Sequence, residues 1–280
     1  MTLQDVVNEV FLRVGTTQTK AAAVITPSRV MDLVNMGLIS MRAEAMRVNP
    51  DCFKSILSAV TLTKDTAYTL PDYVTYFTDV RDSQTLTPIR RVDYDLGFQG
   101  RSWGYEVHGR QLFLRNIGQC TVDIRVETAW PALHYGTAQA GSTAGITFAT
   151  TATAGTIILT DDAYNRMRVV AHAGTGLGQS AFVTDYNGTT KVAASTWTVA
   201  PNNTTQYGVM PPWDEICDEL LVYSALSRFS QEAFREAANK DPIYASLRMA
   251  FEQWAARQNA QGRPIARNLD SELVSGFHGE

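Results

Sequence analysis

Thr121-Val122-Asp123-Ile124-Arg125-Val126-Glu127-Thr128 alternates apolar and charged side chains without a break. Successive strand residues point to opposite faces, so Val122, Ile124 and Val126 share one face while Asp123, Arg125 and Glu127 share the other. A strand with one dry and one wet face belongs to an antiparallel sheet. Just upstream, Tyr105-Glu106-Val107 and Leu112-Phe113-Leu114 flank His108-Gly109-Arg110, and this predicts a hairpin with a glycine turn. From Ser58 onward Val60, Leu62, Tyr68, Leu70, Val74, Tyr76 and Phe77 continue the strand-like pattern, broken by Pro71.

Helices lie on either side of this region. Thr2 and Asp5 form a capping-box pattern before Leu3, Val6, Val7, Val10 and Val14, with Gly15 as the stop. Thr26-Pro27 opens a second helix with Val30, Leu33, Val34, Leu38, Met41 and Ala45 on its apolar face, and Asn49-Pro50 closes it. Near the other end, Pro211-Pro212 sets up a helix carrying Trp213, Ile216, Cys217, Leu220, Leu221 and Ala225. Leu220-Leu221-Val222-Tyr223 is apolar at consecutive positions, so more than one face of that helix is buried. Asp241-Pro242 predicts a last helix with Ile243, Leu247, Phe251 and Trp254 on one stripe, ended by 261–264. Residues 261–280 read as an extended tail.

Between Tyr135 and Thr160 there is no charged residue, and Thr, Ala and Gly dominate. Ile157-Ile158-Leu159, Val169-Val170, Phe182-Val183 and Trp197-Thr198-Val199 read as short strands, with turns at Asn187-Gly188 and Pro201-Asn202-Asn203. Residues 137–210 are therefore expected to be a small inserted β module, whose first twenty residues either belong to it or form a low-complexity linker. The fold class that follows is α+β. Its expected core is a discontinuous domain of 1–136 and 211–260, a helical bundle from both termini with an antiparallel sheet in the middle.

The chain has 280 residues, 45% of them hydrophobic and 19% charged, with a net charge of −4. This is a globular composition, and its acidic balance argues against a protein whose task is gripping nucleic acid. Cys52, Cys120 and Cys217 are odd in number and far apart, which suits reduced thiols made in a cytosol rather than a disulfide framework or a zinc site. No basic-then-apolar signal sequence opens the chain, and no run is apolar enough to span a membrane.

Signs of chemistry are sparse. Gly174-Thr175-Gly176-Leu177-Gly178-Gln179 has glutamine where a dinucleotide fingerprint needs glycine, and it lacks the Gly-Lys-Ser/Thr end of a P-loop. His108, His134, His172 and His278 have no metal-ligand spacing. His172 reads as a core or interface residue, and Asp161-Asp162 as a turn rather than a calcium loop. Trp213 and Trp254 fall on apolar helical stripes, whereas Trp103 and Trp130 flank strands. The expectation is a protein that is not an enzyme and needs no cofactor or metal.

Three stretches then resemble the head-to-tail connector adaptor proteins of tailed bacteriophages, the tubular tail protein A-like family. They are Arg47-Val48-Asn49-Pro50-Asp51-Cys52-Phe53 leading to Tyr68-Thr69-Leu70-Pro71-Asp72-Tyr73; 107–114 leading to Asp123-Ile124-Arg125-Val126; and Pro211-Pro212-Trp213-Asp214-Glu215-Ile216-Cys217-Asp218-Glu219-Leu220. Residues 178–207 look like a β repeat of phage virion proteins. The resemblance implies a virion protein of the neck, assembled in the bacterial cytoplasm as a homo-oligomeric ring, commonly a dodecamer. Such a ring docks beneath the portal, meets a downstream tail or nozzle protein, and passes DNA without sequence-specific binding. It also implies a portal-docking tail, Arg263, Pro264, Ile265, Arg267, Leu269, Leu273 and Val274, and a subunit-interface helix at Leu220, Leu221, Val222 and Tyr223. The alternative is a tail-completion or decoration protein whose module, 137–210, contacts capsid, tail fibres or host glycans.

Overall fold

The computed structural model describes residues 1–14, 26–92, 103–240 and 243–258. It is an α+β protein with several antiparallel sheets. Helix α1, Leu3–Arg13, starts on a complete capping box: Asp5 N–H donates to Thr2 Oγ1 at 3.2 Å, and Thr2 N–H donates to Asp5 Oδ2 at 2.9 Å. Helix α2, Pro27–Val48, is capped by Thr26, and it buries the apolar face expected of it from Val30 to Ala45. Asn49 ends it in extended backbone, where its side-chain amide donates to the carbonyls of Ala255 and Gln258. The stop signal thereby also ties the two ends of the chain together. Gly15, Asp241 and Pro242 lie outside the described residues.

Strands β1 (Lys54–Thr63), β2 (Ala67–Thr69), β3 (Val74–Asp82), β4 (Gly104–His108), β5 (Gln111–Arg115) and β6 (Gln119–Thr128) make two three-stranded sheets. Their orders are β1-β6-β3 and β2-β5-β4, and the hairpin β4–β5 turns at Gly109 with φ 59° as expected. β6 lies in the middle of its sheet with Val122, Ile124 and Val126 buried. These three join Leu62, Val80 and Leu114 in one apolar cluster between the two sheets.

Residues 134–210 supply β7 (His134–Thr137), β8 (Ala140–Ser142), β9 (Gly145–Thr147), β10 (Ala154–Gly155), β11 (Arg168–Ala173), β12 (Ser180–Phe182), β13 (Asp185–Asn187), β14 (Val192–Ala194) and β15 (Gln206–Met210). They form a five-stranded sheet, β10-β7-β15-β11-β12, and a four-stranded sheet, β13-β14-β9-β8. The uncharged stretch from Tyr135 is thus part of the module and not a linker. Two expected strands are absent, for a shared reason. Ile158 N–H donates to Tyr164 Oη and its carbonyl accepts from Tyr186 Oη, while Thr198 N–H and Val199 N–H both donate to Gln179 Oε1. Side chains satisfy this backbone where a neighbouring strand would otherwise be needed. The turn at Asn187-Gly188 is a four-residue loop, closed by Asn187 Oδ1 accepting from Thr190 N–H at 2.8 Å.

Helices return as α3 (Leu220–Phe229), α4 (Gln231–Lys240) and α5 (Tyr244–Arg257). The helix expected from Trp213 begins only at Leu220; before it stands a single 3₁₀ turn, Glu215–Cys217, with Ile216 exposed. Ile243, expected on the apolar stripe of α5, is its exposed N-cap, whereas Leu247, Phe251 and Trp254 are buried. α3 crosses α2 at Gly37, where a Cβ would stand 2.8 Å from Ser224 Cβ. α1 meets β15 at Gly208 as closely, 2.8 Å from Leu3 Cβ.

These close approaches fix where the core sits. The second apolar cluster takes in α1, α2, α3 and α5 together with Tyr135, Phe148, Tyr164, Tyr186 and Tyr207 of the module. The expected grouping joined the sheet to the helices and set 137–210 apart; the buried side chains join 133–210 to the helices and give the sheet pair a cluster of its own. The cause is that β7 and β15 present an apolar face that α1 covers.

Candidate assembly surfaces

Leu220, Leu221, Val222 and Tyr223 are all buried inside the chain's own core, enclosed by α1, α2 and α5. Apolarity on several faces here reflects packing within one protomer, so these four residues offer no surface to a neighbour. The tail residues Arg263, Pro264, Ile265, Arg267, Leu269, Leu273 and Val274 lie outside the described residues.

An exposed apolar stripe appears instead on α2, and the sequence reading missed it. Met36 is 45% exposed and Ile39 is 70% exposed, and Ala43, also exposed, follows one turn later on the same side. Ion pairs bracket the stripe, Arg29–Asp32 at 3.8 Å toward one end and Arg47–Glu252 at 3.3 Å toward the other. Single exposed apolar residues are ordinary, but a helical row of them framed by charge is the pattern of a contact surface. The signal was present in the sequence as a second, shorter row at the same helical spacing, offset from the core face.

The module carries a second exposed apolar feature at one tip. Gln179 ties two loops together: its Oε1 accepts from Thr198 and Val199, and its Nε2 donates to the carbonyls of Gly176 and Val199. Gly174, Gly176 and Gly178 all have positive φ, and a Cβ at Gly174 would fall 1.9 Å from the Thr204 carbonyl oxygen. The glycine segment is therefore a tight loop; Leu177 within it is 67% exposed, and so, at 49%, is Val199, which Gln179 bonds to that loop.

Beneath these surfaces are polar groups that hold the scaffold. His134 is fully buried among Phe148, Tyr164 and Tyr207, with Nδ1 3.2 Å from Tyr164 Oη and Nε2 3.3 Å from Tyr207 Oη. Burial pushes its pKa down to about 3, so the ring is neutral. With a proton on Nδ1, Tyr207 donates to Nε2 and Tyr164 donates onward to the Thr156 carbonyl, which satisfies both hydroxyls. Arg168, also buried, pairs with Asp218 at 2.6 Å and with Glu215 at 2.9 Å, and Trp213 Nε1 donates to Asp218 Oδ1 at 2.9 Å. Burial nevertheless raises the Asp218 pKa, against the pull of Arg168.

The remaining sequence candidates are dispersed. His108 lies against the buried Glu106 at 3.4 Å, and Glu106 accepts from Arg115 Nε at 2.8 Å. His172 is half-buried on β11, edge-on to Tyr135, and burial lowers its pKa. Asp161 accepts from Gly188 N–H at 2.7 Å, and Asp162 stands at positive φ in the turn. Trp213 and Trp254 are core residues, Trp130 is half-buried against both, and Trp103 is exposed. The three cysteines are free thiols, Cys217 buried and Cys52 and Cys120 partly so. Among the described residues, no group of three or more His, Cys, Asp or Glu is placed to hold a metal ion, and no helix is long and apolar enough to cross a membrane.

A large concavity is also present among the described residues. A cleft of about 900 Å³ opens between the sheet pair, the module and the end of α5. It is lined by β1, by β12 with the 162–167 turn, and by Trp130, Trp254 and Gln258. Each wall strand is the edge of its sheet among the described residues. In comparisons with known proteins, no family model and no curated protein matches this chain.

Proposed function

We propose that this chain is a structural protein of a tailed-phage virion. Copies of it form a ring beneath the portal, join head to tail, and surround the passing DNA. The observation that carries this reading is the α2 stripe of Met36, Ile39 and Ala43, an apolar row that stays exposed among the described residues. Water-exposed apolar rows of this kind are stabilised by burial against a second subunit. Twelve copies at −4 each would line a channel with acidic charge, which repels phosphate and lets DNA slide. The order of the three quoted stretches supports the same family.

The test is the solution mass of the full chain, alone and with its portal. A ring in either condition that is lost in Ile39→Glu, with the fold retained, is the expected result. A monomer that ignores the portal would sink the reading. Truncation at Gly262 is expected to abolish portal binding while leaving the stripe intact.

A second reading rests on the module tip. Leu177 and Val199 are exposed on loops locked by Gln179, a rigid apolar crest suited to contact with capsid, fibre or glycan. It requires that Leu177→Asp abolish a binding event while Ile39→Glu leaves it unchanged.

A further inference from the structure

We propose that Asn187-Gly188, at the turn between β13 and β14, is a self-modification site that the native fold holds closed through Asp161. The reaction is cyclisation of the asparagine side chain onto the next backbone nitrogen. It concerns the chemistry of one protomer and does not depend on ring formation.

The pair is reactive by nature, and the fold requires it. Gly188 N attacks Asn187 Cγ: a C–N bond forms, the bond from Cγ to Nδ2 breaks, and Nδ2 leaves as ammonia with the Gly188 amide proton. Water then opens the five-membered imide at either carbonyl, giving aspartate or isoaspartate at 187 with no oxidant or reductant. A side chain on the following residue hinders the attack, so glycine there makes it fastest. Asn187-Gly188 is the only such pair in the 280 residues. Yet no larger residue fits at 188, because a Cβ there would stand 2.1 Å from the Leu159 carbonyl oxygen. The close approach of the 159–160 backbone therefore imposes the labile pair.

Each reacting group is held by a neighbour. Gly188 N–H, the nucleophile, is buried and donates to Asp161 Oδ1 at 2.7 Å. Asn187 Oδ1 accepts from both Thr190 N–H and Thr190 Oγ1 at 2.8 Å, which ties the carboxamide to Thr190. The Asn187 backbone is extended and pairs with Val192, while Asp162 N–H donates to the adjoining Tyr186 carbonyl at 2.8 Å. An extended residue must rotate about ψ before the following nitrogen can close a five-membered ring on Cγ. That rotation moves Gly188 N–H away from Asp161. The Asn187 side chain itself is exposed, so water can reach it and ammonia can leave. Geometry, not shielding from water, withholds the reaction.

Loss of this latch has a lasting result. Among the described residues β13 is an edge of the four-stranded sheet, so opening of one short hairpin is enough to free the pair. Isoaspartate at 187 adds a methylene to the main chain of β13 and disturbs its register against β14. Aspartate at 187 adds a charge to a corner where burial, Asp185 and Asp161 already raise the Asp162 pKa. Either product loosens the hairpin, and neither reverts.

Peptide mapping of the full chain by mass spectrometry, following conversion at 187 over time, tests the proposal. Conversion in the folded protein is expected to be at least about tenfold slower than in the same chain in urea, because the reaction waits on local opening. Asp161→Ala removes the acceptor and is expected to raise the folded rate about three- to tenfold. Asp161→Asn keeps an Oδ1 for Gly188 N–H and is expected to stay slow. Hydrogen exchange across β11, measured in both variants, reports whether the module remains folded. Equal rates in the folded and urea-unfolded parent chain would overturn the proposal. So would an unchanged rate in Asp161→Ala, or the same acceleration in Asp161→Asn. Acceleration matched by equal loosening of β11 would overturn it too, since global unfolding rather than the Asp161 bond would then set the rate.

Discussion

The two apolar clusters are held together by different means. In the sheet pair the backbone is satisfied by strands: β1 and β6 are 10 residues each and pair along most of their length. In the module the longest strand is β11 with 6 residues, and several are 3 or fewer. There the connecting backbone is met by Tyr164, Tyr186, Gln179, Asp161 and Asn187 side chains. The sheet core is mainly aliphatic, whereas the module core stacks Phe148 on Tyr207 at 4.9 Å around a buried histidine. Short strands suffice when buried polar side chains replace the missing ladder, and such a core becomes sensitive to charge.

The largest consequence falls on Arg168. It joins β11 of the module to the turn before α3, and it is the guanidinium partner of a buried carboxylate. Arg168→Met leaves Asp218 buried with a Trp213 hydrogen bond and the Met1 amine at 3.5 Å. Breaking one half of a buried pair costs about 3–5 kcal/mol, read as a lower urea midpoint at unchanged slope. Adding Asp218→Leu is expected to recover most of that loss, because the uncompensated charge goes with it. Equal losses in the single and double variants would mean the pair is not a coupled unit, and the contrast between the two cores would fail.

Acid is expected to separate the clusters next. The His134 pKa lies at about 3 in the folded protein, because burial disfavours the imidazolium. Unfolded, it returns to about 6.5. Between those values the unfolded chain binds the extra proton, so His134's contribution is complete above pH 6.5 and declines as pH falls toward 3. From pH 6.5 to 5 the loss is about 2 kcal/mol. His172, also lowered by burial, acts in the same direction. Denaturant titrations of His134→Gln across this window should show a flatter pH dependence than the parent chain, whatever the variant's offset in stability. An unchanged slope would place the proton uptake elsewhere.

This contrast also explains what could be read from the sequence. The sheet pair was legible because period two at 121–128 and the Gly109 hairpin are local signals, as were the Thr2 and Thr26 caps. Residues 157–159 and 197–199 misled because the apolar run there does not pair with a strand: Trp197 is buried and Ile157 and Ile158 half-buried, while Leu159 and Val199 are exposed. Their backbone partners are side chains remote in sequence, which no window can see. The grouping of cores failed for the same reason: the contact of α1 with β15 at Gly208 joins residues about two hundred positions apart. Among surface candidates, Leu220–Tyr223 showed only that several faces of α3 are covered. Burial by its own chain and burial by a neighbour leave the same mark on a sequence. The stripe at Met36 and Ile39 was readable, but the stronger core period of α2 masked it.

The smallest expected effect bears most directly on how the module is held. Gln179 lies in the loop between β11 and β12, and its amide bridges to 198–199 at 2.8 to 3.2 Å. Gln179→Ala removes these bonds but leaves every strand pairing in place, and the freed N–H groups of Thr198 and Val199 lie near solvent. The net cost of such bonds is about 0.5–1.5 kcal/mol each when buried, and less when water can replace them, so a total of about 1 kcal/mol is expected. Global stability should therefore move little, while hydrogen exchange at Thr198 and Val199 should accelerate well beyond that of β11. If exchange at 198–199 does not change, the loop is held by the packing of Trp197, whose indole donates to Ser195 Oγ at 2.7 Å. Side-chain bonding would then be a consequence of the module's packing, and the rule drawn from comparing the two cores would apply to 158 and its tyrosines but not to this tip.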